Sequence, residues 1–326
     1  MKLIACTVRV LAALVAGLSL IAPSLAQTFP SKSLRIVVPH PAGIGVDVEA
    51  RLLASQMSTE LGQQVLVENK PGFGTLLAME AVAKAAPDGY TMGIGLPANL
   101  ASHPRLFDRP TYDVEHGLTP VSLLWTLPWG LYVNSAVPAK SLAEFVALAK
   151  ASPVGLTYAT TGVGSFQHLT TEWLMSLTGG TLRHVPYGKS PWLPDVLSGR
   201  IDVVMWTLSD MTGYVKADKI RLLAVSNGHR RSDLLPDVPT FAEAGLPTYD
   251  VTAWAGLVVP AGTPAPIVEK LAAAAAKAVN SASFRELVAK GGGTIVASSP
   301  AEFEAHLRSE RARWKKVITD AGIQLE

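Results

Sequence analysis

Two glycine-rich loops contain the residue types in this sequence that could hold a ligand. The first is Pro39–Asp47, with the sequence PHPAGIGVD, and it lies between a short apolar strand and a helical pattern. At such a junction, backbone N–H groups and the positive end of a helix attract an anion, and glycine allows close approach. Asp47 is placed equally well to cap the helix or to contact a ligand. The loop therefore predicts a seat for a carboxylate.

The second loop is Tyr158–Ser165, with the sequence YATTGVGS. It also runs from a predicted strand into a helix, and it offers two threonine hydroxyls, two glycines and Ser165 as a helix N-cap. If the two loops face each other across a gap, they enclose an acid with neutral hydrogen-bond donors. This pairing is the basis of the functional prediction.

Enzyme chemistry is the alternative reading of the same loops. Gly43-Ile44-Gly45 followed by Glu68 resembles part of a dinucleotide fingerprint, but Val48 stands at the third glycine position. Ser165 follows both glycines of its loop, which is not the order of a nucleophile elbow. His168 has the spacing of a capping or packing residue, and the histidines show no metal-ligand spacing. We expect no enzyme activity, no cofactor and no metal, with a secreted hydrolase as the alternative.

Four tryptophans in the middle of the chain have two possible roles. They lie at predicted strand ends or helix starts, and they are Trp125, Trp129, Trp192 and Trp206. Aromatic side chains dominate protein cores, so at least half of them are expected to be core residues. One or two could instead line a cleft and stack on a ligand, which favours an aromatic or apolar-bodied acid.

The elements that position these loops alternate between strand and helix. This order indicates parallel sheets covered by helices, in an α/β fold. The apolar stretch Val121–Val133 lacks a helical period and predicts a strand that crosses into a second lobe, with a return near Arg221–Val225. We expect lobe 1 to comprise residues 27–125 and 224–326, and lobe 2 to comprise residues 126–223.

The first 26 residues predict export. Lys2 and Arg9 precede the apolar run Val10–Ala22, and Ser24-Leu25-Ala26 fits a signal-peptidase site. Cleavage after Ala26 would leave 300 of the 326 residues, with no cysteine. That chain has 26 basic and 26 acidic residues, because the leader contains two of the 28 basic residues and no acid. A balanced charge argues against nucleic-acid binding.

Many short motifs resemble the Bug-type extracytoplasmic solute receptors, the binding component of tripartite tricarboxylate transporters. They occur in order along the mature chain: Phe29-Pro30, Arg35–Pro39, Val67–Gly72, Ala86–Tyr90, Thr119–Ser122, Tyr158–Ser165, His184–Tyr187, Leu235–Thr240, Glu243–Gly245 and Pro260–Pro264. The resemblance implies a periplasmic, two-lobed type II binding fold, with each lobe a mostly parallel sheet flanked by helices, that closes like a hinge on a carboxylate.

The family's first binding loop maps onto Pro41–Asp47, and its second onto Tyr158–Gly162. Ile44 replaces a family glycine, and Tyr187-Gly188-Lys189 inverts the usual order of tyrosine, lysine and glycine. These differences predict a reshaped pocket. The residues expected to bind the ligand from lobe 1 are His40, Ala42, Gly43, Ile44, Asp47, Thr75, Pro97 and Asn99. Those expected from lobe 2 are Thr160, Thr161, Gly162, Ser165, Trp192 and Trp206.

The expected function is capture of a small carboxylate by a monomeric periplasmic protein. The loaded protein would then be presented to the membrane subunits of a transporter. A sensory adaptor for a membrane signalling protein fits the same sequence features and remains an alternative.

Overall fold

Strands and helices alternate along the first part of the chain. The computed structural model of the protein describes residues 29–43, 45–102, 112–152, 155–188, 190–226 and 232–323. The predicted signal peptide, Ile44, Lys189 and the last three residues lie outside the described ranges. No helix within these ranges is long and apolar enough to cross a bilayer.

The first half of the sheet is built around three parallel strands. They are β1 (Leu34–Val38), β2 (Val65–Asn69) and β3 (Thr91–Gly95), in the order β2-β1-β3. The connections contain α1 (Val46–Leu61), a short turn at Phe73–Thr75 and α2 (Leu76–Ala83). Ala50, Leu53, Met57 and Leu61 form a buried face of α1, and Gly62 ends the helix in the left-handed conformation with φ 65°.

One long strand joins the two halves of the sheet. This strand, β4 (Leu118–Asn134), has 17 residues. Its first part, Leu118–Pro128, pairs with β9 (Thr252–Pro260), and Trp129–Asn134 pairs with strands of the second half. The predicted crossing strand at Val121–Val133 is therefore confirmed. Because both halves share β4, a bend in this strand would move one half relative to the other.

The second half repeats the parallel arrangement. Its strands are β5 (Leu156–Thr160), β6 (Leu182–Pro186), β7 (Val203–Thr207) and β8 (Ile220–Ser226). Its helices are α3 (Leu142–Ala151), α4 (Phe166–Thr178), α5 (Leu193–Leu197) and α6 (Leu208–Lys216). Strand β8 covers the expected return at Arg221–Val225. It pairs with the C-terminal part of β4, and Val225 also bridges to Thr240, in the segment that leads to β9.

The C-terminal elements pack on the first half. They are α7 (Ala265–Val279), α8 (Ala282–Lys290), β10 (Thr294–Ile295) and α9 (Pro300–Asp320). Helix α9 begins with a capping box formed by Ser299 and Glu302. Buried Arg311 donates from this helix to the carbonyl oxygens of Leu100 at 3.0 Å and Val114 at 2.6 Å. The last helix is thus fixed against the segment that follows β3.

Candidate ligand-binding site

A cavity of about 90 Å³ lies where residues from both halves of the sheet meet. The parallel strands β1, β3, β5 and β7 end at this cavity, and the residues just after them line it: His40, Leu96–Ala98, Thr161, Ser209 and Asp210. Open α/β sheets bind their ligands in the crevice outside the carboxyl ends of the strands, which is where this cavity lies.

The first predicted loop forms one side of the cavity. His40, Gly45 and Val46 line it, and Gly45 is the residue before α1, with φ 50°. The first N–H groups of a helix have no partner within the helix, so the start of α1 presents free donors here. This end of α1 carries the positive end of the helix dipole.

Asp47 organises this loop from within. Its carboxylate accepts hydrogen bonds from the Gly43 N–H at 2.7 Å, Arg51 Nε at 2.8 Å and Asn69 Nδ2 at 2.7 Å. Burial alone would raise the pKa of Asp47, but these bonds and the Arg51 charge lower it below its usual value. The Gly43 N–H is therefore not free for a ligand, and ligand contact by Gly43 or Asp47 stays a prediction.

The second predicted loop lies in the other half, and its glycine N–H groups are also engaged. The Gly162 N–H donates to Thr160 Oγ1 at 3.0 Å, and the Gly164 N–H donates to His168 Nδ1 at 3.1 Å. Ser165 caps α4 by accepting the His168 N–H at 3.4 Å. The predicted N-cap is confirmed, while the expectation that these glycine N–H groups are open is wrong.

The open donors of this half lie one step further along the chain. Phe166 and Gln167 are the first two residues of α4, and both line the cavity beside Thr161 and Ser165. Their N–H groups have no acceptor within the helix. The Thr161 hydroxyl donates to Gln167 Oε1 at 3.1 Å, which orders the side chains at this end. The candidate donors of this half are therefore the backbone N–H groups at the start of α4, rather than those of Gly162 and Gly164.

Thr75 provides a strained and unpartnered polar group in the first half. Its φ of 86° lies in the left-handed region, which β-branched residues rarely adopt. Its Oγ1 atom is buried without a hydrogen-bond partner among the described residues, and Thr75 lines the cavity. Strain of this kind is concentrated at functional sites.

Asn99 lies in a π-helical turn, Ala98–Ser102, at the end of β3. Its Oδ1 atom accepts the Leu96 N–H at 2.8 Å, and its carbonyl oxygen accepts the Tyr112 hydroxyl. Asn99 is fully buried and is not in the cavity lining, whereas Pro97 is. Asn99 thus holds the turn that presents Pro97.

Aromatic side chains form part of the cavity wall. The lining contains Trp125, Trp129, Phe166, Trp206 and Trp254. The rings of Trp129 and Trp206 stack with their centroids 6.2 Å apart. Trp192 lies outside the lining, where it packs against Trp206 at a centroid distance of 4.5 Å. The wall suits an apolar or aromatic ligand body.

One carboxylate, that of Asp210, lines the cavity. Among the described residues, no lysine or arginine lines it. Burial lowers the pKa of His40 to about 4, although the charge of Asp47 acts in the opposite direction. His40 is therefore neutral at pH 7 and can donate or accept one hydrogen bond. Positive potential in the cavity must come from the helix starts.

The predicted site residues divide into three groups. Those in the cavity lining are His40, Thr75, Pro97, Thr161, Ser165 and Trp206. Those beside it but outside the lining are Ala42, Gly43, Asp47, Asn99, Thr160, Gly162 and Trp192. Ile44 lies outside the described residues. Sequence reasoning missed Asp210 and Trp254, although Asp210 follows a parallel strand just as Thr161 does.

A second, more polar cavity of about 540 Å³ lies in the second half, beside the end of α9. Its polar lining residues are His168, Glu172, Arg183 and His184. Burial lowers the pKa of His184 to about 4, so this ring is neutral at pH 7. This cavity is larger than the one between the two halves. However, it is not lined by the first two residues of α1 or α4, or by residues that follow the strands of the first half. The described residues contain no group of His, Cys, Asp or Glu placed to hold a metal ion.

The sequence matches a known family over most of its length. A profile described as "Tripartite tricarboxylate transporter family receptor" matches residues 49–323. The chain belongs to this family. The predicted family is thus confirmed.

Solved structures similar to this receptor show its fold. BugD, a periplasmic binding protein, is 27% identical, with a TM-score of 0.83 over 91% of the receptor and 100% of BugD. MatC from Rhodopseudomonas palustris with bound malate is 32% identical, with a TM-score of 0.82 over 89% and 100%. A protein of R. palustris with adipate is 34% identical, with a TM-score of 0.84 over 91% and 99%. The receptor therefore has the two-lobed type II fold of periplasmic binding proteins, as predicted.

Proposed function

We propose that this receptor captures a small carboxylate in the cavity of about 90 Å³ between its lobes and delivers it to the membrane subunits of a tripartite transporter. The observation that supports this most strongly is the convergence of two helix starts on one cavity. Gly45–Val46 begins α1 in one half, and Phe166–Gln167 begins α4 in the other. The malate and adipate bound to MatC and to its R. palustris relative agree with this ligand class.

The carboxylate is held by neutral donors in this proposal. Backbone N–H groups at a helix start bind anions because they are unpaired and share the positive end of the dipole. The hydroxyls of Thr75 and Ser165 add donors. The tryptophan wall, which consists of Trp125, Trp129, Trp206 and Trp254, surrounds the rest of the ligand. A ligand held from both halves draws them together, since it contacts both only in the closed arrangement.

The lobe boundaries of this proposal follow the shared strand. Lobe 1 comprises residues 27–125 and 224–326, lobe 2 comprises residues 126–223, and β4 together with the end of β8 forms the hinge. The register of β4 shifts against β9 and again against β8, between Leu131 and Tyr132. Such irregularities favour local bending. The receptor acts as an exported monomer, beginning at Gln27 after signal-peptide removal.

Binding without chemistry is the other part of the proposal. The Ser165 side chain accepts the backbone N–H of His168, and the His168 Nδ1 atom accepts the Gly164 N–H. These bonds fix a helix cap, whereas a nucleophile needs a base on its hydroxyl. Mass spectrometry of an acid incubated with the receptor should therefore recover the acid unchanged.

Thermal unfolding with a panel of ligands tests this function. The panel comprises malate, succinate, adipate, benzoate and phenylacetate, with glucose and putrescine as controls. An acid at a hundred times its dissociation constant should stabilise the receptor by about 2.7 kcal/mol. Stabilisation by glucose or putrescine but by none of the acids would overturn the proposal.

A further inference from the structure

Asp210 places a carboxylate in the cavity. Its Oδ2 atom accepts hydrogen bonds from Trp206 Nε1 at 2.6 Å and from Thr207 Oγ1 at 3.3 Å. Its Oδ1 atom has only a long contact of 3.5 Å with Ser209 Oγ. No lysine or arginine of the described residues forms an ion pair with it. Asp210 therefore keeps acceptor capacity that faces the cavity.

Asp210 also faces the opposite lobe. A Cβ atom added to Gly45 would lie 3.4 Å from Asp210 Oδ2. The acid of lobe 2 thus lies against the start of α1, beside the donors proposed to hold a carboxylate. A ligand between the lobes meets both groups.

A second uncompensated acid lies close to Asp210. Glu49 in α1 is only 7% exposed, and its Oε2 atom has no hydrogen-bond partner among the described residues. Burial raises the pKa of Glu49 to about 7, with further contributions from the charges of Asp210 and Asp47. The environment of the cavity therefore favours an added positive charge.

The ligand's charge pattern follows from this arrangement. A dicarboxylate would place its second negative charge near Asp210, where like charges repel strongly in a partly buried site. An ammonium group would pair with Asp210 and could lie against the face of Trp206 or Trp129.

We propose that this receptor binds an amino carboxylate, with its carboxylate at the start of α4 and its ammonium group on Asp210, beside the start of α1. The inference rests on the carboxylate function proposed above and adds a second recognition point. The ligand is zwitterionic, unlike the dicarboxylates bound to MatC and its R. palustris relative.

Titration calorimetry with two matched series tests this inference. The aliphatic series is 4-aminobutyrate, butyrate and succinate, and the aromatic series is 4-(aminomethyl)benzoate, 4-methylbenzoate and terephthalate. In at least one series, the wild-type receptor should bind the amino acid roughly ten- to a hundredfold more tightly than the methyl-ended acid. It should bind the diacid more weakly than the amino acid. This comparison needs no variant.

The variant Asp210→Asn tests whether Asp210 causes the preference for the amino acid. Asparagine retains an oxygen that can accept from Trp206 Nε1, so the local hydrogen bond can persist. The variant should lose most of the preference for the amino acid and should bind the diacid more tightly than the wild type does. The control Asp237→Asn removes the same charge at an exposed position outside the cavity lining, and its selectivity should equal that of the wild type.

The outcomes separate this inference from the general function. If monoacids and diacids bind while the ammonium group brings no gain, the carboxylate function stands and this inference fails. The same holds if Asp210→Asn keeps the wild-type selectivity, because Asp210 then serves only the start of α6. If no acid of either series or of the thermal panel binds, both proposals fail.

Discussion

The Asp47 carboxylate accepts the Gly43 N–H at 2.7 Å and so closes the first binding loop on itself. The same carboxylate accepts from Asn69 at 2.7 Å, and Asn69 also donates to the His40 carbonyl at 2.9 Å. A buried acid thus ties the loop to the end of β2. The loop is rigid before a ligand arrives, which favours binding because less order has to be created.

Replacing Asp47 by alanine should loosen this loop and destabilise the receptor. The change leaves the Gly43 N–H and one Asn69 hydrogen without their acceptor, and hydrogen bonds to charged groups contribute about 1.5–3 kcal/mol each. We expect a loss of roughly 2–4 kcal/mol in the free energy of unfolding, measured with urea at pH 7. The exposed control Asp237→Ala should change it by less than about 0.5 kcal/mol.

The effect of Asp47 depends on pH. Because its pKa is lowered in the folded state, its stabilising contribution is present above its unfolded pKa of about 3.9 and is lost as the pH falls through the lower folded value. The difference between wild type and Asp47→Ala should therefore shrink in strongly acidic buffer. A difference that is constant down to pH 2 would contradict this assignment.

Glu49→Gln should change the pH dependence of stability in the opposite sense. The pKa of Glu49 is raised to about 7 in the folded state, so the folded chain binds the extra proton between about pH 4.5 and 7. Glu49 therefore makes the receptor less stable as the pH rises through this range. Glutamine cannot ionise, so the free energy of unfolding of Glu49→Gln relative to wild type should improve by on the order of 3 kcal/mol between pH 5 and 8.

The quantity to measure is the difference in the free energy of unfolding between Glu49→Gln and the wild type. Buried, neutral His40 has its pKa lowered to about 4, which makes stability rise with pH between about 4 and 6.5 and offsets Glu49 in the wild-type curve. This contribution is common to both proteins and cancels in the difference. A flat difference curve would show that Glu49 titrates normally.

Gln167→Pro should weaken carboxylate binding by removing one N–H group at the start of α4. Proline already occupies the second helical position in α5, as Pro194, and in α7, as Pro266, so the fold should tolerate it here. Gln167→Ala is the matched control, because it removes the same side chain and keeps the N–H. We expect about a tenfold weaker affinity for the proline variant than for the alanine variant by calorimetry. Equal affinities would rule out this N–H as a donor.

Thr75→Gly should stabilise the receptor while it weakens ligand binding. Glycine adopts a positive φ without the strain of a β-branched side chain, which is about 1–2 kcal/mol, and part of this gain is offset by unfolded-chain entropy. We expect roughly 0.5–1 kcal/mol of added stability and about fivefold weaker binding, because the free hydroxyl is lost. Thr212→Gly, within helix α6, should instead destabilise by about 1 kcal/mol. A destabilised Thr75→Gly that binds normally would contradict the role of Thr75.

The fold and the general place of the site could be predicted because they depend on local patterns. Strands followed by glycine-rich loops and helices fix the order of a parallel sheet, and such loops must meet at one edge of it. Ser165 as the cap of α4 is the same kind of local signal, and the structure contains it. The apolar, non-helical stretch at Val121–Val133 likewise identified β4.

The individual donors could not be predicted because they depend on long-range and side-chain contacts. Whether the Gly164 N–H is free depends on the His168 ring, which the sequence places nearby but does not orient. Trp254 lines the cavity from β9, and it comes more than a hundred residues after Trp125 in the chain. Asp210 was accessible from the sequence, because it lies in the first turn of a helix that follows a strand.

A crystal structure of the receptor with the panel acid that gives the largest thermal shift tests the central claim most directly. The predicted result is a carboxylate group within hydrogen-bond distance of the Phe166 or Gln167 N–H, between the two lobes and inside the tryptophan wall. An acid bound only in the polar cavity beside Arg183 and His184, with the space between the lobes filled by water, would contradict it.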